Sequence, residues 1–213
     1  MVEKPETERQ RSGRQRTERK ETGRQRSGGQ RSTQKKTAQQ KSLYTDSDYK
    51  SNDGMLTTIW GPSQWHFLHT MSFNYPVNPT NRDKINYRAY VLNLRNVLPC
   101  GKCRANLRVN MKKLPLNMSQ MASRETFSKY IYDLHELIND MLHKKSGLTY
   151  DEVRNTYENF RSRCVIQVPK TQKKESGCTR PLYGKKAKCL LRIVPQENDT
   201  PTFAVDSKCV KKE

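Results

Sequence analysis

An all-α helical bundle carried between two basic tails is the fold that this 213-residue sequence predicts. Three observations carry the prediction. Phe127, Tyr130, Ile131, Leu134, Leu137, Ile138, Met141 and Leu142 recur at intervals of three and four, which makes one apolar face over more than four turns. Helix-start signals recur as well: Thr80 precedes Asp83, and Thr149 precedes Glu152, each pair spaced as a capping box. Strand-like alternation is nearly absent between residues 55 and 164.

Residues 1–50 read as a disordered basic arm. Arg-Gln-Arg and Gln-Arg-Ser recur, and before Leu43 the only aliphatic or aromatic side chains larger than alanine are Met1 and Val2, so no core can form there. Such an arm either contacts nucleic acid or another polyanion or serves as a solvated tether. Gly61-Pro62 is expected to open the first helix, with Trp65, Leu68, His69, Ser72 and Phe73 on one face. The second starts at Thr80 and carries a wide stripe of Ile85, Ala89, Val91, Leu92, Leu94, Val97 and Leu98 until Pro99 ends it. The third runs from Cys100 to about Lys113, and the fourth bears the periodic face and ends at Gly147. A short fifth helix reaches about Arg163. Together residues 55–164 form one domain of packed helices with short connections. The basic tail at 165–213 has two β-prone runs, Leu190–Val194 and Thr202–Val205, and no assignable fold.

Composition bounds the function. The formal net charge is +20, with most of the basic excess in the two ends. No apolar run reaches the 18 residues of a membrane span, and no apolar secretory segment opens the chain. Glutamates among the first 21 residues argue against a mitochondrial presequence. A cytosolic location follows, where thiols are normally kept reduced, so paired cysteines there are more often catalytic or metal-binding than structural.

The chemistry concentrates at Leu98-Pro99-Cys100-Gly101-Lys102-Cys103. Two thiols at this spacing form a reversible disulfide within one helical turn, or half of a zinc site. At the start of a helix, Cys100 meets unpaired N–H groups and the positive end of the helix dipole, and Lys102 and Arg104 add charge, all favouring a thiolate. Cys164, Cys178, Cys189 and Cys209 form no second close pair, and no spaced histidine pair completes a zinc set, so redox chemistry is the better reading. Trp65 with His69, and His135 with Asn139, are each four residues apart and project side by side. Two such pairs and a dithiol on one small bundle suggest a pocket for a flat heteroaromatic cofactor.

These residues resemble the FAD-linked sulfhydryl oxidase family, the group of the augmenter of liver regeneration. The resemblance rests on Trp60-Gly61-Pro62 with Trp65 and His69, on the Cys100–Cys103 segment, and on His135 with Asn139 and Lys144. It covers residues 55–164, and is nearest to forms from large cytoplasmic DNA viruses of the mimivirus kind, where Tyr157-Glu158 also has a counterpart. It implies a conical four-helix bundle with a short fifth helix, binding FAD noncovalently and forming a homodimer. Gly61, Trp65 and His69 would line the flavin pocket. His135, Asn139 and Lys144 would hold the adenine and phosphate portion. Cys100 would be the sulfur that meets substrate, and Cys103 the one beside the flavin. Thiol-containing viral proteins would be the substrates and O2 the electron acceptor, in the host cytoplasm and the virion. Two positions depart from the family pattern: Glu136 replaces the usual Asn after the pocket histidine, and Tyr132 stands where cellular members begin a structural disulfide. Competing readings are a nucleic-acid-binding or virion structural protein with an inactive bundle, and a zinc-stabilised interaction module.

Overall fold

The structure, a computed structural model, describes residues 43–165 and 177–212. The disorder expected of residues 1–42 lies outside the described residues. Within the remainder of the arm, a single turn forms, α1 (Asp46–Lys50). Thr45 and Asp48 cap it by exchanging hydrogen bonds, and the Tyr44 and Tyr49 rings stack with centroids 5.8 Å apart.

Five helices make up the bundle: α2 (Thr57–Phe73), α3 (Asn81–Val97), α4 (Gly101–Lys113), α5 (Arg124–Met141) and α6 (Tyr150–Glu158). Capping boxes form at Thr80–Asp83 and Thr149–Glu152, as the spacing predicts, and a third forms at Ser123–Thr126. α2 packs on α5 and α6, α3 on α4, and α4 on α5. Tyr75, Val91, Met121, Phe127, Ile131 and Leu134 fill the centre without reaching solvent. Two arginines secure the C-terminal end of α2. Arg161 donates to the Phe73 carbonyl (2.5 Å) and Arg124 to the Tyr75 carbonyl (2.6 Å), placing cations where the helix dipole is negative.

Four expectations are corrected. α2 opens at Thr57, a turn before Gly61-Pro62, and holds Pro62 inside. Tertiary anchoring overrides the proline signal here, because the preceding residues are already pinned: Met55 N–H donates to the Pro99 carbonyl (2.8 Å), and Trp60 Nε1 donates to the Met55 carbonyl (3.1 Å). The apolar stripe of α3 is narrower than its sequence suggests: Val91 and Leu94 are buried, while Ile85 and Val97 are 60% and 63% exposed. α5 ends at Met141, and α6 at Glu158, each sooner than predicted. Gly147 instead supplies a positive φ of 69° in the loop between them.

The tail pairs at unexpected places. Strands β1 (Ser162–Val165) and β2 (Gly177–Pro181) form an antiparallel ribbon, with Arg163 opposite Arg180. The β-prone runs at 190–194 and 202–205 form no strand, since a β-prone segment needs a partner edge. Phe203 packs into a cluster with His66, Tyr157 and Phe160 (centroids 5.0, 6.2 and 6.2 Å), and Lys211 N–H donates to Asn159 Oδ1 (2.8 Å), which ties this tail to the bundle.

The contrast between Ile131 and Ile85 gives a direct check. Ile131→Ala should destabilise the fold by about 2–5 kcal/mol, and Ile85→Ala should stay within about 0.5 kcal/mol, measured by denaturant unfolding.

Candidate active site

Pro99 stops α3 and Cys100 starts α4, so the two helices meet in a single tight turn. Cys100 is the N-cap residue, with extended backbone, and its sulfur accepts from the Cys103 backbone N–H (3.1 Å). Cys100 and Cys103 are joined as a disulfide. Both are half-buried, so the bond lies within reach of solvent. Arg104, one residue on, turns its guanidinium back to the Leu98 carbonyl and ties the turn.

A second segment crosses this turn. Gly54 lies so close that a Cβ would meet the Pro99 carbonyl oxygen at 2.8 Å and Cys100 Cα at 3.0 Å. The Met55 amide bonds to that same carbonyl. α2 then begins with Thr57, whose Oγ1 lies 3.6 Å from Cys103 Sγ. The hydroxyl can donate to a Cys103 thiolate. Neither Gly54 nor Thr57 is visible as a site residue in the sequence, because their roles depend on a chain reversal rather than on spacing.

Further along α2 lies an aromatic cluster. Trp65 stacks flat on His135 of α5, with centroids 3.9 Å apart and an interplanar angle of 9°. His69 Nε2 and His135 Nδ1 are 3.0 Å apart, so one ring donates to the other. Burial holds both imidazoles neutral: His69 falls to about 3, pushed down further by His135 and His66, and His135 falls to about 4 against a smaller upward pull from Glu136. Tyr157 of α6 completes the wall, 5.2 Å from His69 and in hydrogen-bond contact with His66 Nδ1 (3.3 Å). Among the described residues two buried side-chain atoms lack a partner, His69 Nδ1 in this cluster and Gln64 Nε2 earlier on α2. Eight residues of α2 separate Thr57 from Trp65, about 12 Å of helix between the disulfide and the cluster.

The structure thus joins Trp65, His69 and His135 in one cluster. Gly61 is buried on α2 between Thr57 and Trp65. Asn139 follows His135 by one turn, and its Nδ2 donates to Glu136 Oε1 (2.9 Å), which engages the carboxylate that departs from the family pattern. Lys144 is exposed beyond the end of α5, its N–H bonded to the Asn139 carbonyl (2.9 Å). Tyr132, in the other departing position, donates to the Leu148 carbonyl (2.7 Å) and so ties α5 to the loop before α6. Gln64 escapes the sequence reading, since a lone glutamine on a helix gives no signal. Cys178 is disulfide-bonded, whereas Cys189 and Cys209 are free. Among the described residues no three His, Cys, Asp or Glu side chains converge as a metal site, and no helix is long and apolar enough to cross a membrane.

A helical bundle that presents a capped disulfide beside buried aromatic and imidazole rings is the architecture of a cofactor-assisted dithiol oxidase. Residues 62–160 match the Erv1/Alr family. A protein of Acanthamoeba polyphaga mimivirus, designated a probable FAD-linked sulfhydryl oxidase, is 40% identical over 99 residues, which are 46% of this chain and 68% of its own length. The FAD-linked sulfhydryl oxidase of African swine fever virus (isolate Warthog/Namibia) is 29% identical over 99 residues, covering 46% of this chain and 80% of its own length. The crystal structure of the yeast Erv1 core overlays loosely, with a TM-score of 0.44 and 21% identity over 57% of this chain and 95% of its own; the family assignment rests on the sequence relatives. The chain belongs to the Erv1/Alr family, and its activity is that of a FAD-linked sulfhydryl oxidase.

The chain's residues fit FAD. Buried His69 Nδ1 lacks a partner and its ring stands among the flat faces of Trp65 and His135, as a heteroaromatic ligand with polar edges requires.

The imidazole pair makes stability pH-dependent. Both folded values lie below the ordinary 6.5, so between about pH 4 and 6.5 the unfolded chain binds more protons. Stability is therefore full above pH 6.5 and declines as the pH falls toward 4 and then 3. Thermal melts across pH 7 to 4 should show this decline, and His135→Asn should flatten it.

Proposed function

We propose that the protein oxidises pairs of thiols in protein substrates through Cys100–Cys103, with unequal roles for the two sulfurs. The single observation that carries this order is geometric: Cys103 touches α2, the helix bearing Trp65 and His69, while Cys100 caps α4 at the turn. A substrate thiolate attacks Cys100 Sγ, the S–S bond breaks, and Cys103 leaves as thiolate beside Thr57 Oγ1. A second substrate thiolate then attacks the substrate sulfur of the mixed disulfide and expels Cys100. The departing Cys100 thiolate is held by the Cys103 N–H and by the α4 N-terminus. The substrate leaves with one new disulfide, two electrons poorer, and the enzyme holds the pair as dithiol. When bound, FAD would supply the two-electron acceptance and the reoxidation by O2, with H2O2 as product, that return the dithiol to the disulfide.

In this reading Gly61, Trp65 and His69 on α2, with Gln64, would hold one part of FAD. His135, Asn139 and Lys144 would hold another. Gly61 keeps the α2 face low between Thr57 and Trp65, and the ring cluster supplies flat apolar contact. Neutral His69 offers Nδ1 as a hydrogen-bonding atom toward the cofactor. The half-exposed Phe67 and Tyr90, which touch at 6.2 Å across α2 and α3, offer apolar surface for a homodimer. The reading extends to thiol-containing viral proteins as substrates, since the mimivirus and African swine fever virus relatives are themselves viral, and to the host cytoplasm and the virion as places of action. The basic arm fits a polyanion, nucleic acid among them.

Purified protein should be yellow and consume oxygen with dithiothreitol. Cys100→Ser and Cys103→Ser should each abolish turnover while the colour stays. Given a peptide disulfide, only Cys103→Ser should accumulate a mixed disulfide, as its Cys100 thiolate attacks one peptide sulfur and expels the other, seen as an intact mass increase. A mixed disulfide on Cys103 in Cys100→Ser instead would reverse the assigned order, and a colourless protein without oxygen uptake would overturn the activity.

Gly54→Ala tests the segment lying over the turn. The added methyl must push it off Pro99, so peptide oxidation should slow several-fold, read as kcat/KM, with flavin content unchanged.

A further inference from the structure

Between the last turn of α3 and the C-terminal half of α4 lies a hollow of about 320 Å³, lined by Arg95, Asn96, Arg108, Met111 and Lys112. It belongs neither to the disulfide nor to the ring cluster. Met111 is buried and forms part of its lining. Asn93 Oδ1 accepts from Asn96 Nδ2 (3.1 Å), which turns Asn96 Oδ1 toward Arg108, whose Nη2 donates to it (3.3 Å). Arg108 is thereby held in place rather than left to wander in solvent.

The charge around this hollow has one sign. α4 carries Lys102, Arg104, Arg108, Lys112 and Lys113 and not one carboxylate. On α3 the only carboxylate is Asp83, at the far end and engaged in its capping box. Among the described residues, Arg95, Arg108 and Lys112 have no ion-pair partner. Three unpaired cations about a concave surface repel one another, a cost that an incoming anion would reverse.

Position gives the hollow a meaning. Arg95 stands five residues before Cys100 and Arg108 five after Cys103, on the two arms of the hairpin whose turn holds the disulfide. From Cys100 to Arg108 is about 12 Å along α4. An extended peptide covers that distance in three or four residues.

We propose that this hollow docks an acidic segment of the protein substrate, so that the enzyme prefers cysteines with Asp or Glu three or four positions away. The proposal rests on the oxidase reading above and names its substrate class. Guanidinium groups pair carboxylates bidentately, so the two arginines fix the segment while Lys112 adds a point charge. Steering of this kind acts mainly on the association rate and weakens with salt.

The test uses the flavin-loaded full chain and oxygen uptake with three dithiol peptides, alike except for acidic, neutral or basic flanks. The acidic peptide should show a kcat/KM at least tenfold above the neutral one at low salt, and the gap should narrow as salt rises. Arg95→Gln/Arg108→Gln/Lys112→Gln should erase the gap while dithiothreitol oxidation stays within twofold. Loss of dithiothreitol oxidation in the parent enzyme would sink the oxidase reading. Equal rates for acidic and neutral peptides in an enzyme active on dithiothreitol would overturn the docking proposal alone. So would an unchanged acidic preference in the triple variant. If the triple variant instead loses binding to a single-stranded oligonucleotide and the peptides never differ, the hollow serves nucleic acid and the proposal falls.

Discussion

Everything at the active site hangs on one peptide unit, the Pro99–Cys100 turn. Pro99 has no N–H to continue α3, and its preceding residue is pushed away from helical geometry, so the chain must turn there. The turn places Cys100 with extended backbone, where its sulfur can cap α4. The Pro99 carbonyl, no longer needed by α3, is used by the Met55 amide. That bond decides where α2 begins, and the start of α2 decides that Thr57 meets Cys103. Disulfide, cap and neighbouring helix are therefore set by a single backbone geometry. A shift in it would alter all three together.

The histidine pair is the second constraint, and it couples two helices through one hydrogen. Neutral imidazole carries a single N–H. If His69 Nε2 donates to His135, His69 Nδ1 is left an acceptor. If His135 Nδ1 donates, His69 Nδ1 carries the hydrogen and becomes a donor. A ligand group at Nδ1 therefore selects the tautomer of His69 and, through the 3.0 Å bond, that of His135 as well. Burial that keeps both rings neutral is what makes this switch available, because a protonated ring would have no acceptor nitrogen at all.

Much of this was legible in the sequence where local chemistry decides. Thr80, Thr149 and Cys100 each start a helix because a side chain can satisfy orphan N–H groups three residues on, a rule that needs no tertiary partner. Phe127, Tyr130, Ile131 and Leu134 are buried as their period requires, whereas Met141 and Leu142 on the same period lie at the exposed end of α5. The rest was hidden because distant segments decide it. Pro62 marks a helix start by propensity, yet anchoring of Met55 and Trp60 moves the start back to Thr57. Ile85 and Val97 look like core from periodicity, but among the described residues no packed helix buries either of them. Pairing of β1 with β2 depends on which edges meet, not on which residues favour strands. Trp65, His69 and His135 were legible as pairs on separate helices. That the pairs touch is a fact of packing.

The electrostatics of the redox face follow from how the bundle uses its carboxylates. Asp83 and Glu152 are spent in capping boxes, Asp133 pairs with Lys129, and Glu158 holds Arg161 against the end of α2. Glu136 is engaged by Asn139. Acids are thus drawn to helix starts and to ties between elements, where local bonds reward them. α4 is capped by a cysteine instead and needs no acid at its start, so among the described residues its cations have no ion-pair partner. The residue that performs the chemistry thereby also leaves its helix positive. The two effects favour negative charge along the whole of α4: thiolate on the sulfurs at its start, and anionic groups of whatever approaches at the hollow further along.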